Sequence, residues 1–574
     1  MRRYPLRTTR QQISYDEDFA QLFATTQVLD MHNTFLSQKE HKDRELSLQL
    51  RAQGKITTAG EPFELSDATE IDSLIGRGII IPIQFDPTVH KTRIFGLRLV
   101  REIKDKATDV PFEKSRLVVQ GHSDHDKRFI LTQSPTILRC SQRLILAIAP
   151  MLQQHYGFHL ALRDITQAYT QSATPLYREI LARPPREIKN RYPEGTIFRV
   201  MRPLYGIPEA GAHWFLTYQN HHREQLGMDQ SSYDPCLMVS HPDNTAIGII
   251  GMQTDDTIQL GNNVFMERED HSLQKHNITA KPKTILTDGS VKDFNGLQIS
   301  IENGTINTRQ KGQANNLQLV DADNPDRNQQ YIQQRARGAY LASICQPEAA
   351  TDYSVAAQAQ LPTDSDIIAL NKRIQWQLDH KDRGLRFLPL AITDLKMFIF
   401  ADGSFANNQD LTSQIGYIIV LANEIEHTDE QFKIQGNIIH WSSTKCKRVT
   451  RSVLASEIYG TVSALDMGYV LTQTVNTIVS RLQIPTIPLI MCTDSYSLYE
   501  CLVKLGSTTE KRLMIDIMAI RQSYERREIS EIRWINGSDN PADAMTKVQP
   551  NKVLERLVST NQVDIRIEGW VDRE

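Results

Sequence analysis

The sequence predicts a multidomain protein of the α+β or α/β class, and three observations carry that reading. A chain of 574 residues exceeds what one hydrophobic core usually serves. Its 40% apolar and 23% charged residues are the composition of a globular protein. Short apolar strand-like runs also alternate with helical stretches along most of its length.

In chain order, residues 1–70 are polar, Gln-rich and irregular, with one helical stretch from Phe19 to Gln38, and predict a poorly ordered N-terminal extension. The texture changes at Ile71. Strand-like runs at Gly78 to Ile83 and Arg116 to Val119, with a helical stretch from Ser141 to Gln153, predict a first α/β or α+β region over 71–301. Residues 302–395 are polar and helix-biased, notably at Arg337 to Ile344 and Asp366 to Leu378, and read as a connector. A second compact unit over 396–548 begins with the strand-like "MFIFADGS", "IGYIIVLA" and "GNIIHWSS". Helical patterns follow at Leu454 to Thr472, Ser495 to Lys504 and Arg512 to Arg526, with the strand-like "IPLIMCTD" and "EIRWI" between them. That order predicts a mixed sheet with helices on it. Residues 549–574 read as a C-terminal tail.

The formal charge of -3 and pI near 6.6 lack the basic imprint usual for a nucleic-acid binder, so any basic surface must be local. From His90 to Phe129 there are ten Lys/Arg against six Asp/Glu, although a solvated mixed-charge face explains that count as well. Six cysteines are scattered without a CxxC pair and read as reduced, buried intracellular thiols. No apolar run approaches the ~20 residues of a membrane helix, so a soluble protein with no membrane partner is expected. Arg2, Arg3, Arg7 and Arg10 precede the first acid, Asp16, as in a mitochondrial presequence, but Pro5 and the lack of an amphipathic pattern count against one.

Two sets of carboxylates stand at strand ends. In "FHLALRDITQAYTQ" the alternation of Phe158, Leu160 and Leu162 leads to Asp164. In "NTAIGIIGMQTDDTIQLG" two apolar runs flank Asp255 and Asp256, which predicts them at a β-hairpin tip. A polar turn alone explains such a pair. Clustered acids can also clamp two divalent ions about 4 Å apart, as nucleotidyl transfer requires. In the second unit Asp402 and Asp494 each end an apolar strand, while Glu457 lies on a helix beside Leu454, Ile458 and Val462 and Asp543 lies in "NPADAMTK". Isolated acids are normally surface residues, but these can converge at one sheet edge.

With these acids in place, residues 71–357 resemble the copia-type reverse transcriptases through seven motifs in order. They are "FEKSRLVVQGHS", "LTQSPTILRCSQRLILAIA", "DITQAYTQ", "RPLYGIPEAGAHW", "MQTDDTIQLG", "FNGLQI" and "GAYLASICQPEAATDYSVAAQ". Residues 396–547 resemble the ribonuclease H domain of the same elements through "ADGS", "ASEIYG", "CTDSYS" and "PADAMTK". The whole is similar to the reverse transcriptase and ribonuclease H region of a copia-type (Pseudoviridae-like) LTR retrotransposon Pol polyprotein.

The resemblance implies a right-hand polymerase whose fingers and palm span 71–301, whose thumb and connector span 302–395, and which is followed by a ribonuclease H-like mixed-sheet domain. It makes Asp164, Asp255 and Asp256 the polymerase metal ligands and Asp402, Glu457, Asp494 and Asp543 those of the nuclease. Both sets would be catalytic, each with two Mg2+, and Mn2+ able to substitute. Lys114, Arg116, Tyr169 and Gly206 become candidates for the incoming nucleotide, with Tyr169 at the position whose ring blocks a ribose 2′-hydroxyl. A core aromatic, a solvated basic pair and a plain turn glycine are the plainer readings of these four. Lys445, Lys447, Arg448 and Arg451 become candidates for hybrid contacts, a solvated basic loop being the equal alternative.

The implied partners are an RNA template, a DNA primer, RNA–DNA hybrid, deoxynucleoside triphosphates and other products of such a polyprotein, integrase and capsid. The implied location is a cytoplasmic retroelement particle, with the nucleus as a further site. Some residues depart from the family pattern. Gln253 and Thr254 replace the usual Tyr and Val before the aspartates, and Glu209 and Gly211 replace Gln and Pro. "WINGSDNPAD" lacks the His that retroviral relatives carry before the last Asp, so product release would depend on other groups. Two other readings stand beside this one: an inactive or co-opted remnant that only binds nucleic acid, and a mitochondrial intron-type reverse transcriptase, against which the nuclease-like half counts.

Overall fold

The computed structural model describes residues 38–90, 94–106, 108–242, 245–506 and 508–571. The helix expected from Phe19 and the Arg-rich start lie outside these, apart from Gln38. The chain divides into two compact units, one from residues up to 130 with 175–210, the other from 131–174 with 211–574. Mixed sheets and helices alternate through both, as in an α+β multidomain protein. Among the described residues no helix is long and apolar enough to cross a membrane. All six cysteines are buried.

The first unit holds a five-stranded sheet in the order Ile80–Gln84, Thr196–Val200, Ile180–Arg183, Ile94–Lys104, Phe112–Val119. Along the last strand Glu113, Ser115, Leu117 and Val119 are buried, alternating with half-buried Lys114, Arg116 and Val118. Two helices, Gln38–Ala52 and Glu64–Gly76, pack on the last two strands. The expected disordered extension over 1–70 therefore needs correcting over its described part. Its helices hide from a polarity reading because their buried face is ionic. Arg51 forks onto Glu113, Arg101 onto Asp67, and Ser115 donates to Asp67.

In the second unit a six-stranded sheet runs Thr284–Leu286, His159–Asp164, Asp256–Gly261, Gly248–Gln253, Leu237–Ser240, Met228–Gln230. The Arg139–Tyr156 helix is buried at every position from Cys140 to Leu152, because it packs on this sheet and on the strand Gln431–Lys445. A four-stranded sheet joins Val291–Phe294, Leu297–Glu302 and Thr305–Gln310 to Leu385–Phe387. The expected boundary at 301 thus falls inside a hairpin, Leu297–Glu302 pairing with Thr305–Gln310. Helices Arg327–Ile344, Ala350–Ala356 and Asp364–Asp379 fill the connector around Tyr331, Leu341, Leu370 and Ile374.

The last six strands close into a barrel: Leu395–Ser404, Gln414–His427, Gln431–Lys445, Gln562–Gly569, Glu531–Ile535, Leu489–Thr493. The first three are antiparallel, whereas Leu489–Thr493 is parallel to both Leu395–Ser404 and Glu531–Ile535. The mixed sheet read from the sequence is present, but the expected tail is part of it. Residues 549–574 contain the helix Val553–Thr560 and the strand that pairs with Gln431–Lys445 on one side and Glu531–Ile535 on the other. That pairing removes two open sheet edges. The helix Val453–Ser480 lies on the barrel, capped by the Ser452 hydroxyl and buried at Ile458, Leu465, Leu471, Val475 and Ile478.

Candidate active sites

Asp164 ends the strand His159–Asp164 and is the direct cross-strand partner of Asp256, the first residue of Asp256–Gly261. Gln253 pairs with Asp256, so Thr254 and Asp255 form a two-residue hairpin turn. The turn is further held by Ile165, whose N–H donates to the Asp255 carbonyl at 2.8 Å. Thr254 sits at φ 57°, a left-handed conformation that a β-branched residue rarely adopts. The Trp214 indole donates to its carbonyl at 2.7 Å. Removal from water and the charges of Asp255 and Asp164 push Asp256 up to about 6, against the pull of Lys281 and Lys311. Lys281 Nζ donates to Asp164 Oδ2 at 2.5 Å.

Behind these acids the strands are anchored to the Asn263–Lys275 helix. Arg163, next to Asp164, is buried and reaches Glu269 and Asp270, while Gln259 donates to Glu269 at 3.0 Å and Lys283 lies 3.1 Å from it. Tyr169 stands half-buried on the turn after Asp164, and burial and then Asp255 raise its phenol. Gln253, where an aromatic was expected, keeps its Oε1 buried without a hydrogen-bond partner among the described residues.

The other nucleotide candidates belong to the first unit. Lys114 and Arg116 share one face of their strand, but Arg116 pairs with Glu102 and lies 5.8 Å from the Tyr205 ring centroid. Gly206 has φ 86°, and a Cβ there would stand 2.0 Å from the Val119 carbonyl. Close backbone packing explains its lack of a side chain.

The second set is tighter. Among the described residues, Asp402, Glu457 and Asp494 form the one group whose ligand atoms all lie within 4.8 Å of one another. Asp402 lies on the first barrel strand, and Asp494 follows directly on the strand parallel to it. Glu457 reaches them because two glycines let the helix press on the strand. A Cβ on Gly403 would meet the Ser456 carbonyl carbon at 2.4 Å, and one on Gly460 the Asp402 carbonyl oxygen at 2.8 Å. Burial and then the Asp494 charge push Asp402 up to about 6. Burial, then Asp402 and Asp494, raise Glu457 well above the usual range, and burial raises Asp494.

Asp543 adjoins this group without entering it. The Asn551 N–H donates to its Oδ2 at 2.8 Å, and Lys547 pairs with its Oδ1. Asn540 links Asp494 to the Ala401 carbonyl, and Thr546 donates to Asp402. Glu457 Oε2 is buried with no hydrogen-bond partner among the described residues. Hard oxygen donors around a buried carboxylate with one unpaired oxygen fit a divalent cation such as Mg2+ or Mn2+.

Trp214, Lys281, Asn540, Thr546 and Asn551 carried no assigned role in the sequence reading, and neither did Lys547. Trp214, Asn540, Thr546 and Lys547 stand inside quoted motifs, which was the available signal. Of the basic loop, Lys445 pairs with Asp410, while Arg448 pairs with Asp516 at 3.2 Å and lies 4.9 Å from the Tyr459 ring centroid.

Comparison with known proteins bears on the first site through a matched residue range. Residues 86–333 match the family model "Reverse transcriptase (RNA-dependent DNA polymerase)". The Transposon Ty1-DR6 Gag-Pol polyprotein of Saccharomyces cerevisiae is 23% identical over 491 residues, covering 78% of this chain and 26% of the relative. The TyH3 Gag-Pol polyprotein of the same yeast is 22% identical over 491 residues, with the same coverage. The chain thus spans about a quarter of the length of these relatives. A foamy viral protease-reverse transcriptase solved with ds DNA aligns over 91% of this chain and 82% of its own, at 11% identity and a TM-score of 0.47. The motif order, the family match and the Ty1 relatives together make this chain a relative of the Pol region of copia-type LTR retrotransposons, with a reverse transcriptase domain over residues 86–333.

Proposed function

We propose that the chain copies retrotransposon RNA into DNA from a primer and cleaves the RNA strand of the resulting hybrid. The observation that carries the polymerase half is the pairing of Asp164 with Asp256 across two strands, with Asp255 in the turn beside them. Three carboxylates at one sheet end suit nucleotidyl transfer, and Asp402, Glu457, Asp494 and Asp543 suit phosphodiester hydrolysis. Two Mg2+ at each set, with Mn2+ able to replace them, would activate the attacking oxygen and neutralise the leaving group. Asp164, Asp255 and Asp256 would hold the first pair and the four nuclease acids the second. Lys114 and Arg116 would offset triphosphate charge, Tyr169 would exclude a ribose 2′-hydroxyl, and Gly206 would let backbone approach the nucleotide. The partners would be RNA template, DNA primer, hybrid and deoxynucleoside triphosphates. The setting would be a cytoplasmic particle shared with other polyprotein products.

The test is primer extension on an RNA template, together with hybrid cleavage, for the unmodified chain, Asp255→Asn and Asp402→Asn. Extension should vanish only in the first variant and cleavage only in the second. An unmodified chain that binds hybrid but performs neither reaction would instead support a co-opted nucleic-acid-binding remnant.

A further inference from the structure

Lys547, a side-chain cation that acts on each of the nuclease carboxylates, has no part in the reading above. Lys547 lies four residues after Asp543 and pairs with its Oδ1. The other oxygen of Asp543 accepts the Asn551 backbone N–H at 2.8 Å. Both carboxylate oxygens are therefore engaged, one by a fixed backbone donor and one by a flexible side chain that is 45% exposed. Asp543 stands outside the 4.8 Å group formed by Asp402, Glu457 and Asp494. The positive charge of Lys547 acts on each of those three as well.

A divalent cation that takes Asp543 as a ligand can share it with a neutral N–H donor, whereas the Lys547 ammonium on Oδ1 opposes it with a full positive charge. The backbone N–H can move only with its loop, whereas a lysine stem has several rotatable bonds and an exposed route to water. Only the ammonium can yield at low cost. Two cations on one carboxylate repel, which favours departure of the ammonium when the metal arrives.

Resting on the ribonuclease H reading, we propose that Lys547 is a displaceable internal counter-ion, seated on Asp543 until a second divalent cation takes that carboxylate. The ammonium then weakens the second metal seat relative to the first. It supplies a built-in competitor that re-enters when the ion leaves, a role left open by the missing histidine in "WINGSDNPAD".

Mn2+ binding, followed by the electron paramagnetic resonance signal of the free ion, tests this in the full chain carrying Asp255→Asn and Asp256→Asn to weaken metal binding at the polymerase acids. Lys547→Met and Lys547→Gln should tighten the weaker Mn2+ site about fivefold, the size of one half-exposed ion pair, while Lys547→Arg stays within about twofold. Near-ultraviolet circular dichroism checks that each variant keeps its packing. Unchanged or weaker binding in the two neutral variants overturns the counter-ion role alone. Mn2+ binding that is absent, or indifferent to Asp402→Asn, overturns the nuclease reading and the counter-ion with it.

Discussion

The Trp214 indole N–H is hydrogen-bonded to the carbonyl oxygen of Thr254 at 2.7 Å, which ties a buried tryptophan to the turn that presents Asp255 and Asp256. Thr254 holds φ 57° there, a conformation that costs of order 1–3 kcal/mol for a residue with a Cβ. The ring itself stacks on Tyr218 at 5.0 Å, so packing and hydrogen bond can be separated.

Trp214→Phe keeps an aromatic ring and removes the donor. Primer extension should fall about tenfold in kcat, the equivalent of ~1.4 kcal/mol, with little change in the nucleotide KM. Thr254→Gly, which relieves the left-handed strain, should recover most of that loss in the same chain. A double variant no better than Trp214→Phe would show that the strain is not what the indole opposes.

The nuclease acids predict a pH dependence of stability in EDTA. Asp402 is raised to about 6 and Glu457 and Asp494 are also raised, so the folded chain binds more protons than the unfolded chain over this range. Their contribution to stability is therefore largest at low pH and falls as pH rises from about 4 through the raised folded values, about 6 for Asp402. Asp402→Asn should stabilise the EDTA-treated chain above pH 6 by roughly 2 to 3 kcal/mol, and by much less near pH 4. Urea unfolding at a series of pH values checks this. A constant difference between the two chains would sink the account.

Arg143 is a buried guanidinium with no carboxylate partner among the hydrogen bonds described for it. It donates to the carbonyls of Ile439 at 2.7 Å and Ser343 at 2.9 Å, and lies 3.9 Å from the Trp441 ring centroid. Burial lowers its pKa to about 10. Arg143→Met should cost about 2 kcal/mol by orphaning the buried Ile439 carbonyl and removing the bond to Ser343, with faster amide exchange along Gln431–Lys445. An unchanged melting temperature would mean that desolvation of the charge already cancels its bonds.

Asn561 tests the barrel closure. It caps the Val553–Thr560 helix at φ 59°, and its side-chain amide donates to the carbonyls of Arg386 at 2.8 Å and Gly436 at 2.9 Å. Asn561→Gly keeps the left-handed backbone and loses these bonds, at about 1–2 kcal/mol. Asn561→Ala should lose roughly 1 kcal/mol more through strain. Equal melting temperatures for the two variants would remove the conformational part.

Strand and helix patterning, the hairpin beneath Asp255 and Asp256, and the strand-end positions of Asp164 and Asp494 were legible in the sequence, because apolar periodicity and turn chemistry are local. Asp402 was expected to end its strand, but the strand runs on to Ser404, paired with Gln414. The helices Gln38–Ala52 and Glu64–Gly76 were lost to a disordered extension, since their buried faces carry charged residues whose partners, among them Arg98, Arg101, Lys106 and Glu113, lie on other elements. The C-terminal strand was lost because its partners lie more than 100 residues away for Gln431–Lys445 and about 30 for Glu531–Ile535. The sequence by itself thus determined which acids could carry chemistry and on which local elements they stand. Only the tertiary structure decided that Asp402, Glu457 and Asp494 converge while Asp543 stands outside that group, paired with Lys547 and the Asn551 N–H, because convergence depends on how closely one helix can approach one strand at Gly403 and Gly460.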